Sequence, residues 1–192
     1  ELVRDRAKVQ KIRGAGRCDV LDATAKLLKA DAADCGVTFA FCDQGTGEIA
    51  DFLAFQIEQD SMGQDRLRIH LYHCKACKTA SPGVDVRNAY EVLGQARKCV
   101  RWLRRSDLFD EVTRRLAMQR PKGSTRDRVV YGRKADFEGV KQLFYPQSAN
   151  YSVHIVQPGF DIRQICSWGD PSIRVMFLSL YDELRNLGVD FF

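Results

Sequence analysis

The amino-acid sequence predicts an α/β protein with a mixed β-sheet core flanked by helices. Segments with helical spacing of apolar residues stand near both ends of the chain, and segments rich in β-branched and aromatic residues lie between them. Helix-like and strand-like segments also alternate after residue 75, a pattern typical of α/β folds. With 192 residues and 45% hydrophobic content, the chain can bury one core of ordinary size. We therefore expect one domain over residues 1–192, with a core at about 19–157 and a C-terminal strand and helix at 151–192.

The first half of the chain predicts a helix followed by three strands. Apolar residues recur at helical spacing up to Ala33. Residues 37–43 and 48–57 then have the composition of two strands, joined by turn-forming residues at 44–47. Residues 67–75 predict a third strand. Because these strands follow one another through short connections, we expect them to form a meander.

The second half predicts alternating helices and strands. Residues 86–103 have apolar positions three and four apart, with Asp85 as the N-cap. Four elements follow: a helix capped by Ser106, a strand at 128–132, a helix at 137–144 and a strand at 151–157. The last helix has the clearest signals, because Asp170 can cap it, Pro171 suits its first position and Gly188 ends it.

Composition restricts the class of protein and its compartment. Seven cysteines, odd in number and unevenly spaced, do not form a disulfide framework, so we expect a reducing, cytoplasmic environment. No run approaches the roughly 18 apolar residues that a membrane span requires, and the first residues lack the apolar core of a signal peptide. The chain begins with Glu1 and ends on apolar residues at 189–192, and we expect it to be a piece of a longer protein.

Positive charge is concentrated in one segment of the chain. Residues 97–128 contain eleven Lys or Arg and four Asp or Glu, a net charge of +7, whereas the rest of the chain carries −2. A solvated helix face is the commoner interpretation of a single charge run. A patch of this density can also neutralise phosphates, and we favour nucleic acid as its partner.

Three ionisable residues in the second and third predicted strands can carry chemistry. Side chains two apart on a strand share a face, so Leu71, His73 and Lys75 line one side of the third strand. Asp51 lies in an apolar run of the second strand, where a carboxylate must be paired, hydrated or bound to a cation. A carboxylate that holds a hard cation, a second ligand and a lysine beside water together suit phosphodiester hydrolysis.

These residues carry a resemblance to a known family. Residues 47–51 (GEIAD) and 69–75 (IHLYHCK) resemble the core of PD-(D/E)xK nucleases, especially Mrr-type restriction endonucleases, which have an Asp on the second core strand and an acid or Gln, one spacer and Lys on the third. The resemblance implies a restriction-endonuclease-like fold, with Asp51 as a metal ligand and Lys75 as the catalytic lysine. It extends to the following helix, where Gln95 is expected to approach the site, and covers residues 37–103, about a third of the chain.

His73 departs from the family pattern, because it occupies the position usually held by Glu, Asp or Gln. We expect it to bind metal or position water. Imidazole suits Mn²⁺ or Zn²⁺ better than Mg²⁺, so the expected cofactor is Mg²⁺ or Mn²⁺, and an inactive site is the other outcome. Glu48 and Asp43 lie near enough in sequence to contribute, although ordinary turn acids are an equal interpretation. The additional acid of the family's first helix would be Asp19 or Asp22.

We therefore expect a divalent-metal-dependent DNA endonuclease domain within a larger protein. The C-terminal part is similar to the ends of large bacterial helicase-nuclease fusions associated with antiviral defence. Expected partners are double-stranded DNA, other domains of the parent chain and, as a further candidate, a second copy of the chain, but no membrane. Phosphate contacts are expected from basic residues after the third strand: Lys78, Arg97, Lys98, Arg101, Arg104 and Arg105.

Two alternatives belong to other classes of protein. The first is a nuclease-fold module that has lost activity through His73 and binds nucleic acid or a protein. The second is a zinc-stabilised interaction domain built on Cys74 and Cys77, although one CxxC pair is a weak signal. A Cys-His enzyme using Cys166 and His154 has no local sequence signature.

Overall fold

A computed structural model describes residues 20–45, 47–76, 86–118, 127–158 and 170–192. Within these ranges the chain forms a six-stranded mixed sheet flanked by helices. In chain order the elements are α1 (Val20–Cys35), β1 (Val37–Cys42), β2 (Phe52–Gln59), β3 (Asp65–Cys74), α2 (Val86–Cys99), a 3₁₀ turn (Val100–Trp102), α3 (Leu108–Ala117), β4 (Val129–Tyr131), α4 (Lys134–Gln142), β5 (Asn150–Val156), α5 (Pro171–Asn186) and β6 (Asp190–Phe191).

The strands lie in the order β4-β1-β2-β3-β5-β6. Strands β1, β2 and β3 form the antiparallel meander that the sequence predicts, and β4 pairs antiparallel with β1. Strand β5 runs parallel to β3, and β6 runs parallel to β5. A parallel pair requires a crossover connection, which here includes α2, α3 and α4.

Each face of the sheet is covered by different helices. On one face, which we call the α2 face, Phe39, Phe55 and Leu71 belong to the larger hydrophobic cluster together with residues of α2, α3, α4 and α5. On the other, the α1 face, Phe52 and Ala54 pack with apolar residues of α1. Strand alternation therefore sends successive side chains of the meander into two separate cores.

Several predicted elements are confirmed. The mixed α/β sheet and the final helix have the expected character, and the carboxylate of Asp170 accepts a hydrogen bond from Ser172 N at 2.7 Å, with Pro171 in the first turn. None of the described helices combines the length and the apolar content needed to cross a membrane. Asp85, the predicted cap of α2, lies outside the described residues.

Other boundaries were wrong. The second strand begins at Phe52, not at residue 48, because residues 43–45 and 47–51 lie in irregular segments and the carboxylate of Asp43 accepts a hydrogen bond from Ile49 N. The helix predicted over 86–103 ends at Cys99 and is followed by a 3₁₀ turn. Asp107, not Ser106, is the N-cap residue of α3.

One short strand was not predicted. The sequence did not indicate β6, which continues the sheet beside β5.

Arg104 adopts a φ of 60°, a region that few non-glycine residues occupy. Two contacts hold it there, since Arg104 N donates to the hydroxyl of Tyr151 at 3.1 Å and its guanidinium donates to the carbonyl of Leu187 at 2.9 Å.

Candidate active site

Asp51 and Lys75 lie at the same end of two neighbouring strands. Asp51 immediately precedes β2, and Lys75 immediately follows β3. The register pairs Leu53 with Leu71, and both leucines belong to the core on the α2 face. Alternate residues share a face, so Asp51, His73 and Lys75 are placed on the α2 face as well. The structure therefore brings the acid and the amine to one side of the sheet.

The carboxylate of Asp51 is fixed against the end of β3. Its Oδ2 atom accepts a hydrogen bond from the backbone N–H of Cys74 at 2.7 Å, and only 6% of the residue is exposed. Burial raises the pKa of Asp51 to about 6, and the negative charges of Glu48 and Asp43 act in the same direction. The Cys74 N–H and the charge of Lys75 oppose this shift. A buried carboxylate beside two other acids is a favourable place for a cation.

Lys75 extends from the end of β3 to α2. Its ammonium forms an ion pair with the carboxylate of Glu91, and 29% of its side chain is exposed. Arg87 Nε lies 3.7 Å from the other Glu91 oxygen. Gln95 stands one turn after Glu91 on the same helix, and its Oε1 atom is buried with no partner among the described residues, so its approach to the site stays a prediction.

His73 is an interior residue. It is 2% exposed, and burial lowers its pKa to about 4, so the imidazole is neutral at physiological pH. Its Nε2 atom has no hydrogen-bond partner among the described residues. A neutral imidazole with an unused ring nitrogen has the chemistry of a metal ligand. Burial is the cause of the lowered pKa of His73, and no carboxylate among the described residues raises it again.

Asp43 has a structural role in the loop before Asp51. It is fully buried, and its two oxygens accept hydrogen bonds from Ile49 N at 2.8 Å and from Arg115 Nη1 at 2.9 Å. Arg115 is also buried, and it donates to Glu111 at 2.8 Å and to the carbonyl of Gly47. Burial raises the pKa of Asp43, while the Ile49 N–H and Arg115 counteract it. This cluster anchors the loop to α3.

The remaining acidic candidates are Glu48, Asp22 and Asp19. Glu48 accepts a hydrogen bond from Gly45 N at 3.0 Å, and its charge contributes to the raised pKa of Asp51. The start of α1 lies at the same end of the sheet, because Thr24 Oγ1 is 3.5 Å from Cys74 Sγ. Asp22 is exposed there, on the α1 face, and Asp19 lies outside the described residues.

The basic residues of the predicted nucleic-acid surface lie toward the end of α2 that is distant from Lys75. The eight residue steps from Glu91 to Cys99 span about 12 Å of helix. Three of the arginines also have intramolecular partners: Arg97 with Glu183 at 2.8 Å, Arg104 with the carbonyl of Leu187 at 2.9 Å, and Arg105 with Asp107 at 2.7 Å.

Among the described residues of this set, Lys98 and Arg101 form no ion pair with a carboxylate, and the guanidinium of Arg104 contacts a backbone carbonyl only. The guanidinium groups of Arg101 and Arg105 lie 5.5 Å and 4.7 Å from the ring centre of Trp102. Lys78 is outside the described residues.

The donor atoms suit some metals better than others. No group of three His, Cys, Asp or Glu side chains is arranged to hold a metal ion within the described ranges. Mg²⁺ is often bound by only one or two carboxylates with waters and substrate phosphates, and Asp51 with Glu48 nearby fits that pattern. A structural zinc site needs four nitrogen or sulfur ligands. Cys74 belongs to the cluster on the α1 face, and Cys77 lies outside the described residues.

His154 has a structural environment. Its Nε2 atom is 3.0 Å from Nδ1 of His70, and its ring stacks on Tyr72 with 4.4 Å between ring centres. Cys166, the partner considered for it, is outside the described residues.

One further buried polar residue lies beside the end of β3 and was not predicted as a site residue. Gln157 follows β5 directly, is 6% exposed, and neither atom of its amide has a partner among the described residues. A glutamine at the end of a largely apolar strand could have indicated a site residue. The sequence does not show, however, that this strand pairs with β3.

Neither a family model, nor a curated protein, nor a solved structure matches the chain. Function is therefore inferred from the geometry of the site.

Proposed function

We propose that the chain is a divalent-metal-dependent DNA endonuclease domain with a restriction-endonuclease-like core, working as part of a larger defence or helicase-nuclease protein. One observation carries the proposal: a buried carboxylate, that of Asp51, is held against the end of β3 by the Cys74 N–H, one residue away from Lys75. This placement agrees with the resemblance, which requires the Asp and the Lys on neighbouring strands.

Each residue has a distinct part in the proposed hydrolysis. Asp51 would hold Mg²⁺ or Mn²⁺ with Glu48 nearby, and the cation supplies positive charge at the phosphate and makes water more acidic. Lys75 hydrogen-bonds the attacking water or a phosphate oxygen and offsets negative charge in the transition state. Glu91 accepts a hydrogen bond from the Lys75 ammonium and so orients it. His73 lines the interior of the site as a neutral imidazole.

A second function is favoured by two other observations. The ammonium of Lys75 is already paired with Glu91, and no three metal-ligating side chains converge among the described residues. Both features suit a nuclease-fold module that binds nucleic acid and does not cleave it. Such a module would show salt-dependent DNA binding without hydrolysis.

Cleavage of plasmid DNA in Mg²⁺, in Mn²⁺ and in EDTA distinguishes the two functions. We expect cleavage with a metal and none in EDTA, and we expect Asp51→Asn and Lys75→Ala to lower the rate by at least about a hundredfold. Matched controls are Asp65→Asn, an exposed acid at the opposite end of β3, and Lys134→Ala on α4. Persistent cleavage in both site variants would exclude this mechanism, whereas tight binding without cleavage would establish the inactive module.

A further inference from the structure

Gln157 is a buried amide whose hydrogen-bonding groups are unused. Nε2 and Oε1 are both buried, and neither has a partner within the described part of the chain. Almost all buried amide groups in folded proteins are hydrogen-bonded, because an unpaired one costs free energy. An amide with both atoms unpaired is therefore a place where a ligand can supply the missing bonds.

The strand pairing places Gln157 next to Lys75 along the edge where β3 and β5 end. Strand β5 is parallel to β3, with Val156 opposite Cys74, and Lys75 N donates to the carbonyl of Val156 at 3.0 Å. Gln157 is the next residue. Tyr151 and Val153 belong to the core on the α2 face, and the alternation continued to residue 157 places Gln157 on that face too.

We propose that Gln157 is a substrate-contacting residue whose Nε2–H donates to a non-bridging oxygen of the phosphodiester group next to Lys75. The proposal rests on the proposed function and deepens it, since it adds a neutral donor to the charge of the lysine. The amide oxygen remains available to accept a hydrogen bond from water beside the same phosphate. An uncharged donor fixes the orientation of the group and adds no further cation to the site.

The test uses Gln157→Met, which keeps a side chain of similar length and removes both polar atoms. Its matched control is Gln142→Met, at an exposed glutamine on α4. The full chain is measured for thermal midpoint and for binding of a short DNA duplex and its single strand in Ca²⁺. Cleavage in Mn²⁺ is then followed to separate KM from kcat.

If Gln157 contacts the phosphodiester, Gln157→Met keeps or raises the thermal midpoint while DNA binding weakens about tenfold or more. A lowered thermal midpoint overturns the inference, because it reveals a partner for the amide inside the protein. Unchanged DNA affinity and unchanged KM also overturn it, and they leave the proposed function standing. If the wild-type chain neither binds nor cleaves DNA, the proposed function fails and the inference fails with it.

Discussion

Asp51 is the residue at which function and stability oppose each other. Its pKa is about 6 in the folded chain, whereas the ordinary value is 3.8. Between pH 3.8 and pH 6 the folded state therefore binds more protons than the unfolded state. The contribution of this group to stability is therefore present below pH 3.8 and is lost as pH rises through 6. At neutral pH a buried, ionised Asp51 destabilises the fold, unless a cation compensates.

The variant Asp51→Asn should consequently be more stable than the wild type at pH 7.5 in EDTA, by on the order of 1–3 kcal/mol. The difference should shrink toward zero near pH 4, because the wild-type carboxyl is then protonated. Urea unfolding at both pH values measures it, with Asp65→Asn as the exposed control. Equal destabilisation of Asp51→Asn at both pH values would show that the carboxylate is structurally required.

Two histidines on the α1 face of the sheet, His70 and His154, predict that the stability of the fold depends on pH. The imidazole of His70 has two hydrogen-bond partners. Its Nε2 atom donates to Gln56 Oε1 at 2.9 Å, and its Nδ1 atom lies 3.0 Å from His154 Nε2. Burial, and then the charge of Arg68, lower the pKa of His70 to about 4, although the nearby carboxylates of Glu58 and Asp190 raise it. The pKa of His154 is lowered as well, mainly by burial.

For a base with a depressed pKa, the unfolded chain takes up the proton first. The stability that His70 contributes is complete above pH 6.5 and is lost as pH falls toward 4. We expect the wild type to lose stability relative to His70→Gln between pH 7 and pH 5, because this comparison isolates His70 from the opposite contribution of Asp51. Imidazole NMR signals of the folded chain should also stay in the neutral form at pH 5.5. A midpoint near 6.5 in that titration would contradict the prediction.

At the scale of elements, the loop between β1 and β2 is held by α3 through one arginine. Removing Arg115 leaves the fully buried Asp43 without its cation, and breaking a buried pair in this way costs about 3–5 kcal/mol. We expect Arg115→Met to show this loss in urea unfolding. Arg114→Met is the matched control, because Arg114 is exposed and its pair with Glu111 should contribute little to stability.

A double variant tests the cause of that loss. If the unpaired charge of Asp43 is responsible, adding Asp43→Asn to Arg115→Met should recover part of the stability. The loop positions Asp51, so Arg115→Met should also lower DNA cleavage while Arg114→Met does not. Additive losses in the double variant would mean that the two side chains act independently.

Elements differ in how far the sequence predicts them. The meander followed from β-branched and aromatic composition with short connections, and the alternation of side chains along a strand is why His73 and Lys75 could be expected on one face. The loop at 43–51 was missed, because it depends on an ion pair between residues 72 positions apart. The position of Gln157 was missed for a similar reason, since it becomes part of the site only through the parallel pairing of β5 with β3.

At the scale of the whole molecule, a bound cation should stabilise the fold. A ligand that binds only the folded state at ten times its Kd adds about 1.4 kcal/mol, or roughly 3–5 °C in thermal midpoint for a chain of this size. We expect Mn²⁺ to produce such a shift, EDTA to reverse it and Asp51→Asn to abolish it. A shift of equal size in Asp51→Asn would place the cation elsewhere.

The last residues of the chain are part of the sheet and not an appendage to it. Phe192 N donates to Val153 O at 2.9 Å, and Ile155 N donates to Phe192 O at 2.8 Å. Strand β5, which carries Gln157 at its end, therefore relies on residues 190–192 for its outer neighbour. A version shortened at Gly188 would uncover a row of peptide groups able to recruit foreign β-segments, so purification tags should be joined beyond Phe192 through a flexible spacer.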